Sequence, residues 1–191
     1  MPYLSDAVND SANFSKSVEL GSQDLTTTGT ITAGAMIVPR PYGAFVHTST
    51  ITLTGGTTAD AIPFNTDVLK HHITHSTSVN PSRIYVDIAG VYSIIFTCSP
   101  VGGTVNKLIN IWLAVEGSPV ANSNAVQNLS TASIQRIRTG ERMYTFTAGQ
   151  YFEIMCWSDA TNTTLVATGT QATPTRPAAP SISLTVKKVS A

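Results

Sequence analysis

The sequence predicts an all-β fold, an antiparallel two-sheet sandwich or jelly roll. Three observations predict it. Blocks rich in β-branched and aromatic residues recur along the chain, with turn residues at intervals of about 8–12 residues. No window places apolar residues at the period of about 3.6 that a helix needs. Several blocks alternate apolar and polar residues, as a strand with one covered face does.

Residues 1–40 differ from the remainder and are expected to form an extended N-terminal arm, with the jelly-roll domain over 41–191. Asp6, Asp10, Glu19 and Asp24 outnumber Lys16 in the arm, and large apolar residues are sparse. Such a segment cannot build its own core and needs a partner to order it. Tyr3, Leu4, Phe14, Leu20, Leu25 and Ile31 are the residues expected to contact that partner. Pro39 and Pro41 mark the junction.

Beyond it, Phe45–Thr54 alternates, with Ile51 and Leu53 as inward candidates. Gly55-Gly56 is a turn, and Ala61–Phe64 a short strand that Pro63 places at an edge or a strand start. Residues 67–81 are expected as a long polar connection. Three strand blocks follow: Ile84–Ile88, Val91–Cys98 and Leu108–Val115. In the last two, apolar residues occupy both parities. Val91, Ile95, Ile109, Ile111, Leu113 and Val115 are odd; Tyr92, Ile94, Phe96, Leu108 and Trp112 are even. A strand apolar on both faces must be covered on both. With no helix to supply the second cover, another copy of the chain is expected there.

Glu116-Gly117-Ser118-Pro119 is a tight turn, and 120–137 is irregular with one or two strands. Met143–Phe146 and Tyr151–Trp157 read as a hairpin about Ala148-Gly149. Residues 162–169 are strand-like, 173–180 Pro-rich, and Ser181–Val186 alternates cleanly. The total is eight to ten strands.

Composition narrows the function classes. Charged residues are 12% of the 191, against about 25% in an average soluble domain. Eleven basic residues balance eleven acidic ones, so no global positive field exists to hold nucleic acid or an anionic membrane. No apolar run approaches the roughly 20 residues of a spanning helix. The N-terminus lacks the basic and apolar regions of an export signal, so export is not expected. Cys98 and Cys156 fall in strands and are expected as two buried thiols.

With these blocks in place, the chain from about Phe45 to Val189 resembles the jelly-roll family shared by the globular head of complement's first component and tumour necrosis factor. The pieces that carry the resemblance are Ala61–Phe64, Ile84–Phe96, Ile109–Leu113 with Glu116-Gly117, Thr147–Ile154 and Ala179–Val186. Gln150 stands where the family usually has Asp. The resemblance implies a tight homotrimer with its axis lined by one face of an inner sheet. Tyr92, Ile94, Phe96, Ile109, Ile111, Trp112, Leu113, Ile182 and Leu184 are expected at the trimer interface or core. The arm's Asp24–Gly34 resembles the short strand-turn units of bacteriophage fibre and baseplate proteins.

Few constellations could carry chemistry. His71, His72 and His75 form the only metal-like cluster, with no cysteine or carboxylate at ligand spacing. A solvated polar loop is expected there, with no metal and no other cofactor. Arg136, Arg138 and Arg142, with Glu141, form the only basic cluster, expected as a solvated face. Glu116, Glu141 and Glu153 show no pairing by spacing, and no nucleophile motif is present. Trp112 and Trp157 are expected as core or interface anchors rather than sugar-stacking platforms.

The expected function is therefore non-enzymatic: a virion structural protein, a trimer that decorates or cements a phage head through its arm. Its partners would be itself and the major capsid protein, with no nucleic acid and no membrane. It would be made in the host cytoplasm and end on the capsid surface. The alternative is a fibre or head-fibre tip that binds a host receptor or glycan through loops 66–81, 117–130 and 158–178.

Overall fold

The structure, a computed structural model, describes residues 40–189. Among these residues every regular element is a strand. In chain order they are β1 (Tyr42–His47), β2 (Ile51–Thr52), β3 (Asp60–Ala61), β4 (Thr66–His71), β5 (Ile73–His75) and β6 (Ile84–Val86). Then come β7 (Gly90–Cys98), β8 (Pro100–Val101), β9 (Lys107–Val115), β10 (Ser118–Pro119), β11 (Ala125–Leu129) and β12 (Arg138–Phe146). The last are β13 (Tyr151–Ser158), β14 (Thr164–Leu165), β15 (Gln171–Ala172), β16 (Thr175–Arg176) and β17 (Ile182–Lys188).

Two antiparallel sheets carry the fold. A five-stranded sheet has the order β12-β7-β17-β1-β4. A seven-stranded sheet follows β10-β9-β13-β6-β5, with β11 also on β9 and β3 on β13. The chain passes from one sheet to the other between β6 and β7, and again between β12 and β13. Met143–Phe146 and Tyr151–Trp157 are thus not a hairpin. β12 pairs with β7, while β13 pairs with β9.

On β7 and β9 one apolar set fills the interior, while the other, Ile95 and Trp112 among it, lies on the outward face of its sheet. Tyr92, Ile94 and Phe96 on β7 are fully buried, as are Ile109, Ile111 and Leu113 on β9. Their parities differ because residue number carries no phase from one strand to the next: even β9 and β13, paired in one sheet, bury opposite parities, Leu113 beside Ile154, and all these sets point into one interior. Ile182 and Leu184 on β17 join them, paired across from Cys98 and Phe96. Eight of the nine residues expected at the interface or core are core residues of a single subunit. Only Trp112 lies on the other side of its sheet, half-buried.

Gly140 shows how tightly this interior is filled. It pairs with Phe96 across β12 and β7, and a Cβ there would collide with the Phe96 ring. The tip of the Phe96 ring fills the space where a side chain would stand.

Two further expectations change. The Phe45–Thr54 block is not one strand: β1 ends at His47 and β2 starts at Ile51. Phe45 and Leu53 are buried, while Ile51 is only partly covered. The supposed polar connection at 67–81 contains β4 and β5, joined at His72 with a positive φ of 50°. β4 joins the five-stranded sheet and β5 the seven-stranded one, and polar partners rather than an apolar stripe tie them together, which is why apolar patterning misses them. The arm, residues 1–39, and with it Tyr3, Leu4, Phe14, Leu20, Leu25 and Ile31, lies outside the described residues.

Candidate functional site

The histidines do not form one site. His75 is enclosed: its Nδ1 bonds Asp67 Oδ1 at 2.5 Å and its Nε2 the Pro81 carbonyl at 3.0 Å. Both ring nitrogens are committed to protein partners. His71 instead stacks on Tyr42, centroids 5.6 Å apart, and meets His72 edge-on at 4.2 Å. Among the described residues no group of three His, Cys, Asp or Glu is placed to hold a metal. The expected solvated loop is replaced by two strands in different sheets, linked through His75.

The arginines are likewise dispersed. Arg142 Nε donates to the Ser123 carbonyl at 2.7 Å, and its Nη1 to the Glu141 carbonyl at 2.7 Å. Arg138 packs near the Cys98 thiol. Arg136 lies in the segment between β11 and β12. The carboxylates each serve a local bond. Glu116 accepts from the Tyr151 N–H at 2.7 Å, Glu141 from the Ser93 hydroxyl at 2.7 Å, and Glu153 from the Ser82 hydroxyl at 2.6 Å. Cys98 and Cys156 are buried and unbridged. Burial pushes the Cys98 thiol up to about 12 and Cys156 well above its ordinary value, so neither is a poised nucleophile.

What the fold does present is two outward sheet faces. Residues paired across a strand share a face. On the five-stranded sheet, Ile95, Glu141 and Thr185 lie in register, as do Ser93, Met143 and Lys187. Met143 is 65% exposed, and Tyr42 and Leu69 at the β1/β4 edge are exposed as well. This face therefore carries apolar side chains, while Ser93 and Glu141 satisfy each other at its centre.

The outward face of the seven-stranded sheet holds both tryptophans. Trp112 pairs with Met155, and Trp157 with Asn110, on neighbouring strands β9 and β13. Neither indole is in the core. They flank an open groove of about 370 Å³, completed by Asn110, Pro119, Val120, Asn122 and Asn124.

Local structure makes this groove rigid. The Trp157 indole N–H donates to the Gly56 carbonyl at 2.6 Å. Gly56 belongs to the turn in which Gly55 and Gly56 take φ of 66° and 65°. Gly55 must be glycine twice over: its φ disfavours a side chain, and a Cβ would collide with the Ala160 carbonyl. On the other side, buried Ser123 anchors the loop after β10. Its hydroxyl accepts from the Leu113 N–H at 3.1 Å and donates to the Val120 carbonyl at 2.7 Å. Arg142 holds the Ser123 carbonyl from the opposite sheet. Asn122, at φ 60°, and Asn124 flank this anchor. Asn124 Nδ2 donates to Asn110 Oδ1 at 2.9 Å. That leaves the Asn110 amino group and the Asn124 carbonyl oxygen facing outward with no partner among the described residues. Sequence reasoning placed Asn122 and Asn124 in an irregular segment and had no signal for Asn110. Their convergence depends on β9, β13 and the anchored loop meeting.

No family model matches the chain, and no curated protein matches it. Solved structures do. The globular domain of zebrafish complement 1qA protein superposes with a TM-score of 0.50 at 11% identity, covering 79% of this chain and 98% of that one. Murine APRIL at pH 5.0 gives a TM-score of 0.50 at 8% identity, covering 78% of this chain and 99% of that one. The described domain therefore has the jelly-roll fold seen in complement heads and tumour-necrosis-factor-like proteins. At these identities the likeness is one of fold alone.

Proposed function

We propose that this protein is a non-enzymatic structural protein that works as a homotrimer, joined through the outward face of the five-stranded sheet. The observation that carries the reading is that face itself. It presents Ile95, Met143, Tyr42 and Leu69 on regular strands, with its central polar pair, Ser93 and Glu141, internally satisfied. A sheet face that sets exposed apolar side chains among hydroxyls and a lysine is suited to a symmetric contact with a polar rim. Low charge at zero net balance also fits a chain that stays within an assembly.

The finer reading is a decoration or cement protein on a phage head, with residues 1–40 as the attachment arm and the major capsid protein as partner. Its support is the acidic, core-poor composition of that arm. Each arm would bind weakly, and three on one trimer would add avidity. Two measurements test it. Light scattering on the purified chain should give about three times the 20.2 kDa subunit mass. Deleting residues 1–35 should leave a folded trimer that no longer binds capsids. Persistent capsid binding by that truncation rules out the arm.

A second reading is a fibre or head-fibre tip that recognises a host surface. The rigid tryptophan groove favours it, because it lies on the sheet opposite to the proposed trimer contact and would stay open in the assembly.

A further inference from the structure

We propose that the groove between Trp112 and Trp157 is a binding site for a neutral carbohydrate. The inference rests on the second reading above, a host-recognising head, and names its ligand class. Four observations carry it.

The lining has the chemistry of a sugar site. Two indoles supply flat apolar surface, and Asn110, Asn122 and Asn124 supply amides. A pyranose offers the matching surfaces: a C–H face that packs on an aromatic ring, and hydroxyls at its rim that both donate and accept. Ligand sites of this kind pair a mainly apolar wall with a few polar groups that set orientation.

The lining also excludes other ligands. No charged side chain lines the groove, so it offers nothing to neutralise a phosphate, a sulfate or a sialic acid carboxylate. A buried anion without a counter-charge is costly.

The polar groups are unspent. The Asn124–Asn110 bond consumes one donor and one acceptor. The remaining Asn110 amino group and Asn124 carbonyl oxygen form a neighbouring donor and acceptor, the pattern that a vicinal diol can satisfy. The indole N–H of Trp157 is already bonded to Gly56. That ring therefore contributes surface only, held in one orientation.

Finally, the walls are fastened before any ligand arrives. Gly56 fixes one indole, while Ser123 and Arg142 fix the asparagine loop from beneath. Such preorganisation reduces the entropy lost on binding.

The chain contains two tryptophans, and both line the groove, so intrinsic fluorescence reports on this site without labelling. The experiment titrates the full chain with methyl glycosides of glucose, galactose and mannose, and with N-acetylglucosamine, N-acetylgalactosamine and their neutral disaccharides. The expected result is a saturable change in tryptophan emission with at least one sugar, with matching shifts of both indole N–H signals by NMR. Trp112→Ala should weaken binding at least about tenfold, and Trp112→Phe should restore most of it. Asn122→Gly, at a position whose positive φ suits glycine, removes the amide without straining the loop and should weaken binding several-fold.

Three results would overturn the proposal: no saturable response to any neutral sugar; a response only to sialylated or sulfated glycans; or binding that survives Trp112→Ala and Asn122→Gly in folded protein. An emission change on deleting residues 1–35, with no sugar binding, would assign the groove to the chain's own arm instead. Adsorption to host cells separates the two levels of the argument. Cell binding that persists in the groove variants keeps the host-binding reading and removes the sugar site; no cell binding by the wild type removes both.

Discussion

His75 Nδ1 and Asp67 Oδ1 lie 2.5 Å apart, with the imidazole fully enclosed and the carboxylate at the rim of the fold. Lys70 Nζ takes the other carboxylate oxygen at 2.6 Å and also reaches the His75 carbonyl at 2.9 Å. One acidic group on β4 thus ties the five-stranded sheet to β5 of the seven-stranded sheet. Phe45 and Phe64 pack on the enclosed ring, at centroid distances of 5.0 and 6.3 Å. β5 is joined to the core through a polar residue.

This bond predicts an acid limb in the stability curve. Burial pushes the Asp67 carboxyl up, but hydrogen bonds from Lys70 and His75, and the charge of both, outweigh it and hold the group below its ordinary value. A carboxyl lowered in the fold stabilises it above the unfolded-state value, and that contribution is lost as pH falls through the folded value. The loss therefore falls below about pH 4. Asp67→Asn should cost about 1–3 kcal/mol at neutral pH, mostly through the enclosed His75, since the exposed Lys70 leg adds little. Melting temperature against pH checks it. The variant should lose part of the wild-type acid dependence, and an unchanged acid limb would remove the assignment.

The proposed trimer face makes a separate prediction. Ile95→Glu or Met143→Glu places a charge on the outward side of the five-stranded sheet. Either should yield a folded subunit of 20.2 kDa where the wild type gives a larger assembly. Val126→Glu, on the opposite sheet and also exposed, should leave the assembly intact. Light scattering with circular dichroism distinguishes dissociation from unfolding.

Gly140 sits under the Phe96 ring, so Gly140→Ala should overpack the interior. The expected cost is about 1–3 kcal/mol, read from urea unfolding. Adding Phe96→Leu to Gly140→Ala should cost less than the sum of the two single changes, because the smaller side chain frees the space the new methyl needs.

The thiols offer a test of core integrity. Cys98 and Cys156 are buried, and burial raises both, Cys98 to about 12. At pH 8 in the folded protein both should resist alkylation by iodoacetamide. In denaturant both should react fully. Rapid labelling of the native chain, counted by mass spectrometry, would contradict the enclosed placement.

Much of the fold is legible in the residues. The strands Ile84–Val86, Gly90–Cys98, Lys107–Val115, Tyr151–Ser158 and Ile182–Lys188 all sit where β-branched and aromatic residues cluster, and the turns at Gly55-Gly56 and Glu116-Gly117 both have positive φ. The candidate site is less legible. Two isolated tryptophans in strands read as core because burial is the commonest fate of large apolar residues. Asparagines in an irregular stretch carry no signal at all. Nothing local says that Trp157 will be tied to Gly56, 101 residues away.

The sequence by itself determined that this chain is built of strands, where most of them lie, and which side chains are apolar enough to need cover. Those properties are local, written in side-chain shape and period. Only the tertiary structure decided which sheet each strand joins, and with it which face of each strand is inside. A two-residue period separates the faces of one strand but carries no reference between strands, so the length of each connection and the register it leads to decide which parity is inward. That is why Phe96 and Leu113, of opposite parity, share one core, and why Trp112 stands outside it.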